Sequence, residues 1–345
     1  MTPERKRGEA LRRAMPISRM VDYGLAPALA DEAHHRVAGG GRWEDVLTDL
    51  ADRARDAGDP FGAAVAMNFA QMASNFDTAD RVALFRRGMQ DFVGWTAQVA
   101  PPVVRYQRAW GRGRLFGWRF PVATENAPVV IVVGGMSGWA NSFTGMARAL
   151  NRAGIGALLL DGPGQGETRI TGGLGLQDGY AGAIRSVVDD LLQTDAPRVG
   201  IWGNSMGGLF AAASARDDNR IAACSINGAP AELAFPEFRT AREQMAALFG
   251  APDVETAERM PEVAETFRAL SFDGQQRPLA CPVLVCEGGA DPLVPPGSQQ
   301  AFLTGNSDPR SALLRWDDGE HTIYNHAAER NARVSAWFGS VLKGT

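Results

Sequence analysis

The sequence contains few of the residues that metal and redox sites need. Its 345 residues include 4 histidines and 3 cysteines. Cys224, Cys281 and Cys286 each lie in an apolar, strand-like run, and their spacing is not that of a zinc site. We therefore expect buried, reduced thiols in a cytoplasmic protein, with no bound metal. The chain also lacks a dinucleotide-binding fingerprint, so we expect no cofactor.

Charge is nearly balanced, and long apolar runs are absent. A net charge of −4 gives no electrostatic reason to bind nucleic acid or an anionic membrane. No stretch reaches the roughly 18 apolar residues that a membrane span needs. The locally basic residues 3–13 are typical of a solvated tail rather than of a transit peptide or a binding arm. We expect neither a nucleic-acid partner nor a membrane partner.

The period of the apolar residues changes along the chain. Residues 1–112 lack strand alternation, and Trp43 to Ala54 repeats apolar residues at helical spacing. From residue 113, short apolar runs such as Val129–Val133 alternate with helical segments. This pattern predicts a parallel sheet covered on both faces. The fold class is therefore α/β, with a helical N-terminal cap region at 1–112 and an α/β domain at 113–345.

Residues 228–277 interrupt this alternation with charged, helical segments, which predicts an insertion that forms a lid. The N-terminal helices carry apolar faces too large for a short helical unit to bury alone. We expect these helices and the insertion to cover the edge of the sheet where its strands end. They would confine a small apolar or aromatic substrate there, and the same helices would offer a homodimer contact.

The run from Val199 enters Gly203-Asn-Ser-Met-Gly207 and continues into a helix-forming segment. A strand, a sharp turn and a helix in this order are typical of a nucleophile elbow, in which flanking glycines avoid backbone clashes. We predict that Ser205 is a nucleophile and that the amide of Met206 binds an oxyanion. The alternative is an ordinary tight turn.

A serine nucleophile needs a base. His34 and His35 precede the sheet, whereas His321 follows a strand, at the edge where open α/β sheets place their sites. We predict that His321 is the base and that His326, one helical turn later, is structural.

The acid should lie between serine and histidine in the chain. Asp291 follows the apolar run that ends at Cys286, and we predict that it orients the imidazole. Glu287 is the fallback acid, and a turn before Pro292 is the alternative role for Asp291.

Two glycine-rich loops complete the predicted site. The loop Gly134-Gly-Met-Ser-Gly-Trp139 should supply the second oxyanion amide, from Met136 or Ser137. The segment Asp161-Gly-Pro-Gly-Gln-Gly-Glu167 lacks the lysine of a phosphate-binding loop, and Pro163 has no amide hydrogen to donate. We interpret it as a rigid turn at the same edge of the sheet.

These motifs together resemble the α/β-hydrolase superfamily. They are most similar to a branch that includes the fermentation-respiration switch protein, a dihydroxypseudooxynicotine hydrolase and fungal hydrolases that shorten polyketides. Two stretches depart from that branch. Met136-Ser-Gly-Trp139 stands where a Ser/Thr-Lys-Glu-like sequence is frequent, and Thr322-Ile-Tyr324 stands where cysteine is common. Both departures lie around the pocket, so the resemblance does not carry a substrate with it.

The resemblance implies an activity. Some members of the branch cleave a carbon–carbon bond beside a ketone with help from a lid-side carboxylate, for which Glu237 or Glu232 is the counterpart here. A solvated charge on the lid is the alternative role for both. We therefore expect a serine-dependent hydrolase of a small ketone or polyketide-like substrate. A carboxylesterase or thioesterase with the same residues is the first alternative, and a non-catalytic binding or regulatory protein of this fold is the second.

Overall fold

The computed structural model describes residues 2–194 and 196–343. Its internal contacts divide the chain into two compact units, Met1–Val103 and Val104–Thr345. The first unit is helical in its described part. Its helices are α1 (Pro3–Ala14), α2 (Ile17–Asp22), α3 (Pro27–Ala38), α4 (Trp43–Asp56), α5 (Pro60–Gln71) and α6 (Ala79–Thr96).

Helix α5 is the centre of the first unit. Every residue from Gly62 to Gln71 is buried, and α5 packs against both α4 and α6. The helix is mostly apolar on all sides, as expected for a helix with neighbours around it, and its alanines let those neighbours approach closely. Asp59 accepts a hydrogen bond from the Gly62 amide at 2.8 Å, and Pro60 opens the first turn, so the sequence fixes where α5 begins.

The second unit contains an eight-stranded sheet in the order β1-β2-β4-β3-β5-β6-β7-β8. Strands β3 to β8 pair in parallel, whereas β2 runs antiparallel to both β1 and β4. The strands are β1 (Val104–Trp110), β2 (Gly113–Phe120), β3 (Val129–Val133), β4 (Gly156–Asp161), β5 (Val199–Asn204), β6 (Ile221–Asn227), β7 (Val283–Gly288) and β8 (Ala312–Trp316). The predicted α/β class with a mostly parallel sheet is confirmed.

Helices connect the strands. They are α7 (Thr144–Arg152), α8 (Gly166–Ile170), α9 (Tyr180–Thr194), α10 (Met206–Asp217), α11 (Arg239–Leu248), α12 (Val254–Arg259), α13 (Pro261–Leu270) and α14 (Ala327–Lys343). Helices α9 and α10 pack together, as do α7 and α14. Ile201 of β5 joins the apolar core that includes α9 and α10, whereas its neighbour Trp202 contacts Phe338 of α14. Successive strand residues point to opposite faces, so the two helix pairs cover opposite faces of the sheet.

The sheet begins earlier than the sequence pattern predicted. Strand β1, from Val104 to Trp110, lies inside the range predicted to be helical up to residue 112. Tyr106 is its only fully buried residue, because β1 is the edge strand and is paired on one side only, with β2. A strand with one buried side chain carries no alternating apolar signal, which is why the pattern missed it.

The insertion at 228–277 holds α11, α12 and α13, in agreement with its predicted helical character. The ring of Phe267 makes edge contacts with Phe235 and Phe249. Arg169 of α8 donates to the carbonyl of Ala247 at 2.9 Å and so ties α11 to the sheet domain. The use of this insertion as a lid stays a prediction.

The three cysteines are buried and unpaired. Burial raises the pKa of Cys281 and that of Cys286 to about 12, so both thiols stay protonated near neutral pH. Within the described ranges, no helix combines the length and the apolar character that crossing a membrane requires.

A buried carboxylate at the end of β4 joins two loops. Asp161 accepts hydrogen bonds from the amide of Ala140 at 2.8 Å and from that of Glu167 at 2.9 Å. Burial, partly opposed by these amides, raises the pKa of the Asp161 carboxyl to about 6. The loops after β3 and β4 are therefore joined by a carboxyl group whose pKa is higher than that of an ordinary aspartate.

This pKa predicts a pH-dependent stability. Between pH of about 4 and 6 the native Asp161 still holds a proton that the unfolded chain has released, so raising the pH lowers the free energy of unfolding. The shift from 3.8 to about 6 corresponds to about 3 kcal/mol. Denaturant titrations across this range should show that Asp161→Asn lacks this decline. Equal pH slopes for the two proteins would contradict the prediction.

Candidate active site

Ser205 occupies a turn that its backbone adopts only under constraint. Strand β5 ends at Asn204, and α10 begins at Met206. Between them Ser205 has φ 55° and ψ −135°, in the region that favours glycine. Such a conformation costs about 1–3 kcal/mol and persists only where surrounding contacts impose it. One of these contacts is the hydrogen bond from the Ser205 amide to the carbonyl of Asn227, at 2.8 Å.

The flanking glycines are required by space, as the elbow pattern predicted. A Cβ at Gly203 would lie 2.0 Å from the carbonyl oxygen of Gly207. A Cβ at Gly135, in the loop after β3, would lie 2.9 Å from the Cβ of Ser205 and 3.2 Å from the amide nitrogen of Met206. The loop after β3 therefore lies directly against the serine turn.

The structure brings Ser205, His321 and Asp291 together. The Nε2 of His321 is 2.9 Å from the Oγ of Ser205, and its Nδ1 is 2.8 Å from the Oδ2 of Asp291. These contacts fit a neutral imidazole that donates from Nδ1 to the carboxylate and accepts the serine hydroxyl hydrogen at Nε2. The side chain of Asp291 is completely buried, whereas that of His321 keeps 13% of its surface exposed.

Backbone contacts fix the acid. The second oxygen of Asp291, Oδ1, accepts hydrogen bonds from the amides of Leu293 at 2.8 Å and Val294 at 3.1 Å. Two amides and one imidazole thus use three of the roughly four acceptor positions of the carboxylate, and these hydrogen bonds hold its orientation. The fallback acid Glu287 is placed elsewhere, since it accepts from the amide of Gly297 and pairs with Arg315.

The segment after His321 is strained. Thr322 and Ile323 have φ values of 52° and 61°, although both side chains are β-branched and both are buried. Arg330 of α14 donates to the carbonyl of Thr322 at 2.6 Å. Left-handed backbone at β-branched residues is a genuine outlier and needs such support. His326 lies outside the group, with its Nε2 2.8 Å from Asp318.

The loop that carries the predicted oxyanion residues is held from behind. Met136 and Ser137 lie in the loop after β3, following Gly134 and Gly135, and are half-buried. The Nε2 of the buried Gln165 donates to the carbonyls of Gly134 and Gly135, the latter at 2.9 Å, and its Oε1 accepts from Tyr180 at 2.8 Å. The sequence around Gln165 predicts only a rigid turn and does not indicate these contacts. The role of Met206, Met136 or Ser137 in binding an oxyanion stays a prediction.

The two candidate auxiliary carboxylates lie on the insertion after β6. Glu232 and Glu237 are exposed on the insertion. Neither contributes to the hydrogen bonds described above for Ser205, His321 and Asp291, so their participation stays a prediction. Within residues 2–194 and 196–343, no cluster of three or more histidine, cysteine, aspartate or glutamate side chains could hold a metal ion.

Comparisons with known proteins show what the chain is similar to. A model of the α/β hydrolase fold family matches residues 128–254. The chain is 28% identical over 234 residues to a 2,6-dihydropseudooxynicotine hydrolase of Paenarthrobacter nicotinovorans. That match covers 65% of this chain and spans 60% of the relative's own length.

Solved structures are similar in fold to a larger part of the chain. The crystal structure of 2,6-dihydroxy-pseudo-oxynicotine hydrolase matches 95% of this chain and 96% of its own, with a TM-score of 0.77 and 22% identity. AbyA5 matches 86% of this chain and 89% of its own, with a TM-score of 0.71 and 22% identity. The chain therefore has the α/β-hydrolase fold, and it is similar in sequence to a hydrolase.

Proposed function

We propose that the protein is a serine hydrolase in which Ser205 is the nucleophile, His321 the general base and Asp291 the acid that orients it. The hydrogen-bonded chain from Asp291 through His321 to Ser205, with contacts of 2.8 and 2.9 Å, is the observation that carries this proposal. Its geometry matches what a nucleophile and its base require, and a third group fixes the base.

The reaction follows from these positions. The Oγ of Ser205 attacks the acyl carbon while the Nε2 of His321 takes the hydroxyl proton, and Asp291 stabilises the imidazolium that forms. The amide of Met206, with that of Met136 or Ser137, would stabilise the oxyanion. The bond to the leaving group then breaks, and His321 returns its proton to that group. Water, activated by the same histidine, releases the acid from Ser205.

We propose a carbon–carbon bond next to a ketone as the bond that breaks. The sequence relative is named as a pseudooxynicotine hydrolase, and the branch that the motifs resemble includes enzymes that cleave beside a ketone. In a β-diketone the leaving group departs as an enolate, which becomes a ketone when a carbon receives the proton. The substrate in this proposal is a small ketone or a polyketide-like molecule of apolar or aromatic character.

A carboxylesterase or thioesterase is the alternative, because an alkoxide or thiolate can receive its proton directly from His321. The exposure of Glu232 and Glu237 favours this alternative, since it leaves His321 as the described proton donor beside Ser205. A binding protein without turnover is the second alternative.

Turnover of two substrate types should decide between the bonds. Purified enzyme should release ketone and acid from a simple aryl β-diketone with a higher kcat/KM than it hydrolyses an aryl ester of matched size, because the proposal assigns carbon–carbon cleavage. Product analysis by chromatography gives both values. Ester hydrolysis without diketone cleavage would overturn carbon–carbon cleavage in favour of the esterase alternative. No turnover of either substrate would favour a binding protein.

Ser205→Ala should lower kcat by about 10⁴-fold or more while the protein stays folded, because it removes the nucleophile. His321→Ala should lose a similar factor, and the double variant should be hardly worse, since the two residues act as one unit. Initial rates with circular dichroism of the same samples test this. Ser214→Ala is the matched control, because Ser214 also lies on α10 but its hydroxyl donates to the carbonyl of Phe210, at 2.7 Å. Losses that multiply in the double variant would contradict the pairing.

Asp291→Asn should lower kcat and leave KM near its normal value, because it changes the imidazole tautomer rather than the pocket. The expected loss is on the order of 10⁴-fold by analogy with the serine-protease acid. Glu287→Gln is the control, since Glu287 lies in a separate contact with Gly297 and Arg315. A normal kcat for Asp291→Asn together with an inactive Glu287→Gln would assign the acid role to Glu287.

A further inference from the structure

The side chain of Asn227 contacts the residue before Ser205 and the residue after His321. Asn227 is the last residue of β6, it is completely buried, and it pairs with Asn204 of β5. Its carbonyl accepts the amide hydrogen of Ser205 at 2.8 Å. Its Nδ2 donates to the Oδ1 of Asn204 at 2.8 Å and to the carbonyl of Thr322 at 3.1 Å. One side chain therefore joins the residue before Ser205 to the residue after His321.

The amide orientation of Asn227 is fixed by what surrounds it. Both hydrogens of its Nδ2 are used, and both point at oxygen acceptors. A reversed amide would place Oδ1 against the carbonyl oxygen of Thr322, which can only accept a hydrogen bond. In the described structure the Oδ1 of Asn227 is buried without a hydrogen-bond partner. Leaving a buried acceptor unpaired is unfavourable, so the two donated hydrogen bonds are the reason for an asparagine here.

The histidine loop lies directly on the end of β6. The carbonyl of Thr322 receives hydrogen bonds from both Asn227 and Arg330, at the point where the backbone is left-handed. Gly228, with φ 64°, follows Asn227, and a Cβ on it would lie 3.0 Å from the amide nitrogen of Thr322. The strained segment after His321 is thus held against β6 by a donated hydrogen bond and by close backbone contact.

We propose that Asn227 is a positioning residue that sets the distance between the Oγ of Ser205 and the Nε2 of His321. It holds the serine turn by its carbonyl and by Asn204, and it holds the histidine loop by Thr322. The inference rests on the proposed function. It assigns to Asn227 no contact with substrate and no proton transfer.

The test uses the full-length protein and a fluorophosphonate, which reacts with an activated serine without requiring the natural substrate. Asn227→Asp keeps the size of the side chain but places a carboxylate oxygen against the carbonyl oxygen of Thr322, so the hydrogen bond to the histidine loop is lost. The maximal rate of Ser205 phosphonylation should fall about 10- to 100-fold, because small displacements of reacting groups have effects of this order. The half-saturating probe concentration should stay within about twofold, since the pocket is unchanged.

Asn151→Asp is the matched control. The Nδ2 of Asn151 also donates to two oxygens, the carbonyls of Phe120 and Ile155, at 3.1 and 3.0 Å, but it lies before β4 and away from Ser205. Its thermal midpoint should fall while its phosphonylation rate stays normal. If Asn227→Asp does not fold, Asn227→Ser, which is too short to reach Thr322, should show the same loss of maximal rate.

The outcomes separate this inference from the proposed function. A wild-type protein that the probe does not label at Ser205 would overturn the proposed function and the inference with it. A labelled wild type with an equally fast, folded Asn227→Asp would overturn the inference alone. Equal losses of rate in Asn227→Asp and Asn151→Asp would also overturn it, because they would report a general loss of stability.

Discussion

The sharp turn at Ser205 constrains every loop that surrounds it. A strand cannot pass into a helix within one residue unless that residue takes a left-handed conformation, and a serine does so only when its neighbours hold it. Gly203 leaves room for the backbone of the following helix, and Gly135 lets the neighbouring loop lie against the serine. The hydroxyl therefore stands at the carboxyl edge of the sheet, where the loops after β3, β7 and β8 converge on it.

Buried polar side chains help to hold these loops. Asp161 joins the loops after β3 and β4 through two amides, and Gln165 holds two carbonyls of the loop after β3. Asn227 joins the serine turn to the histidine loop. Directional hydrogen bonds define a geometry more narrowly than contacts between aliphatic side chains do, and a serine and its base need such definition. Burying such a group away from water is unfavourable for its charged form, and this raises the pKa of Asp161.

The sequence predicts those parts of the fold whose signal lies within a few neighbouring residues. Buried strands such as β3 and β5 are continuous apolar runs, and the glycines around Ser205 stand next to the residue that needs them. His321 and Asp291 could be selected from the sequence because both follow strands, and the carboxyl ends of parallel strands meet at one edge of the sheet. Strand β1 was missed because an edge strand with one buried residue has no apolar period.

Asn227 and Gln165 were missed for a different reason. Each acts on residues far away in the chain, and an asparagine at a strand end or a glutamine in a turn has many structural uses. The signal that would have found Asn227 is geometric: it faces Asn204 across a parallel pair of strands, and that register follows only from the folded sheet. Positioning residues of this kind lie beyond a single sequence because their partners are defined by topology.

The residues in which this chain departs from the branch it resembles also lie against the reacting group. Tyr324 stands in the stretch after His321, and its ring makes an edge contact with the imidazole, with centroids 6.2 Å apart. Met136, in the loop after β3, packs against the apolar core. An aromatic ring beside His321 and a flexible thioether in the loop after β3 differ in shape and polarity from the residues that are frequent in that branch. The hydrogen bonds that join Asp291, His321 and Ser205 involve neither side chain, so the proposed chemistry at Ser205 and the proposed choice of substrate depend on different residues.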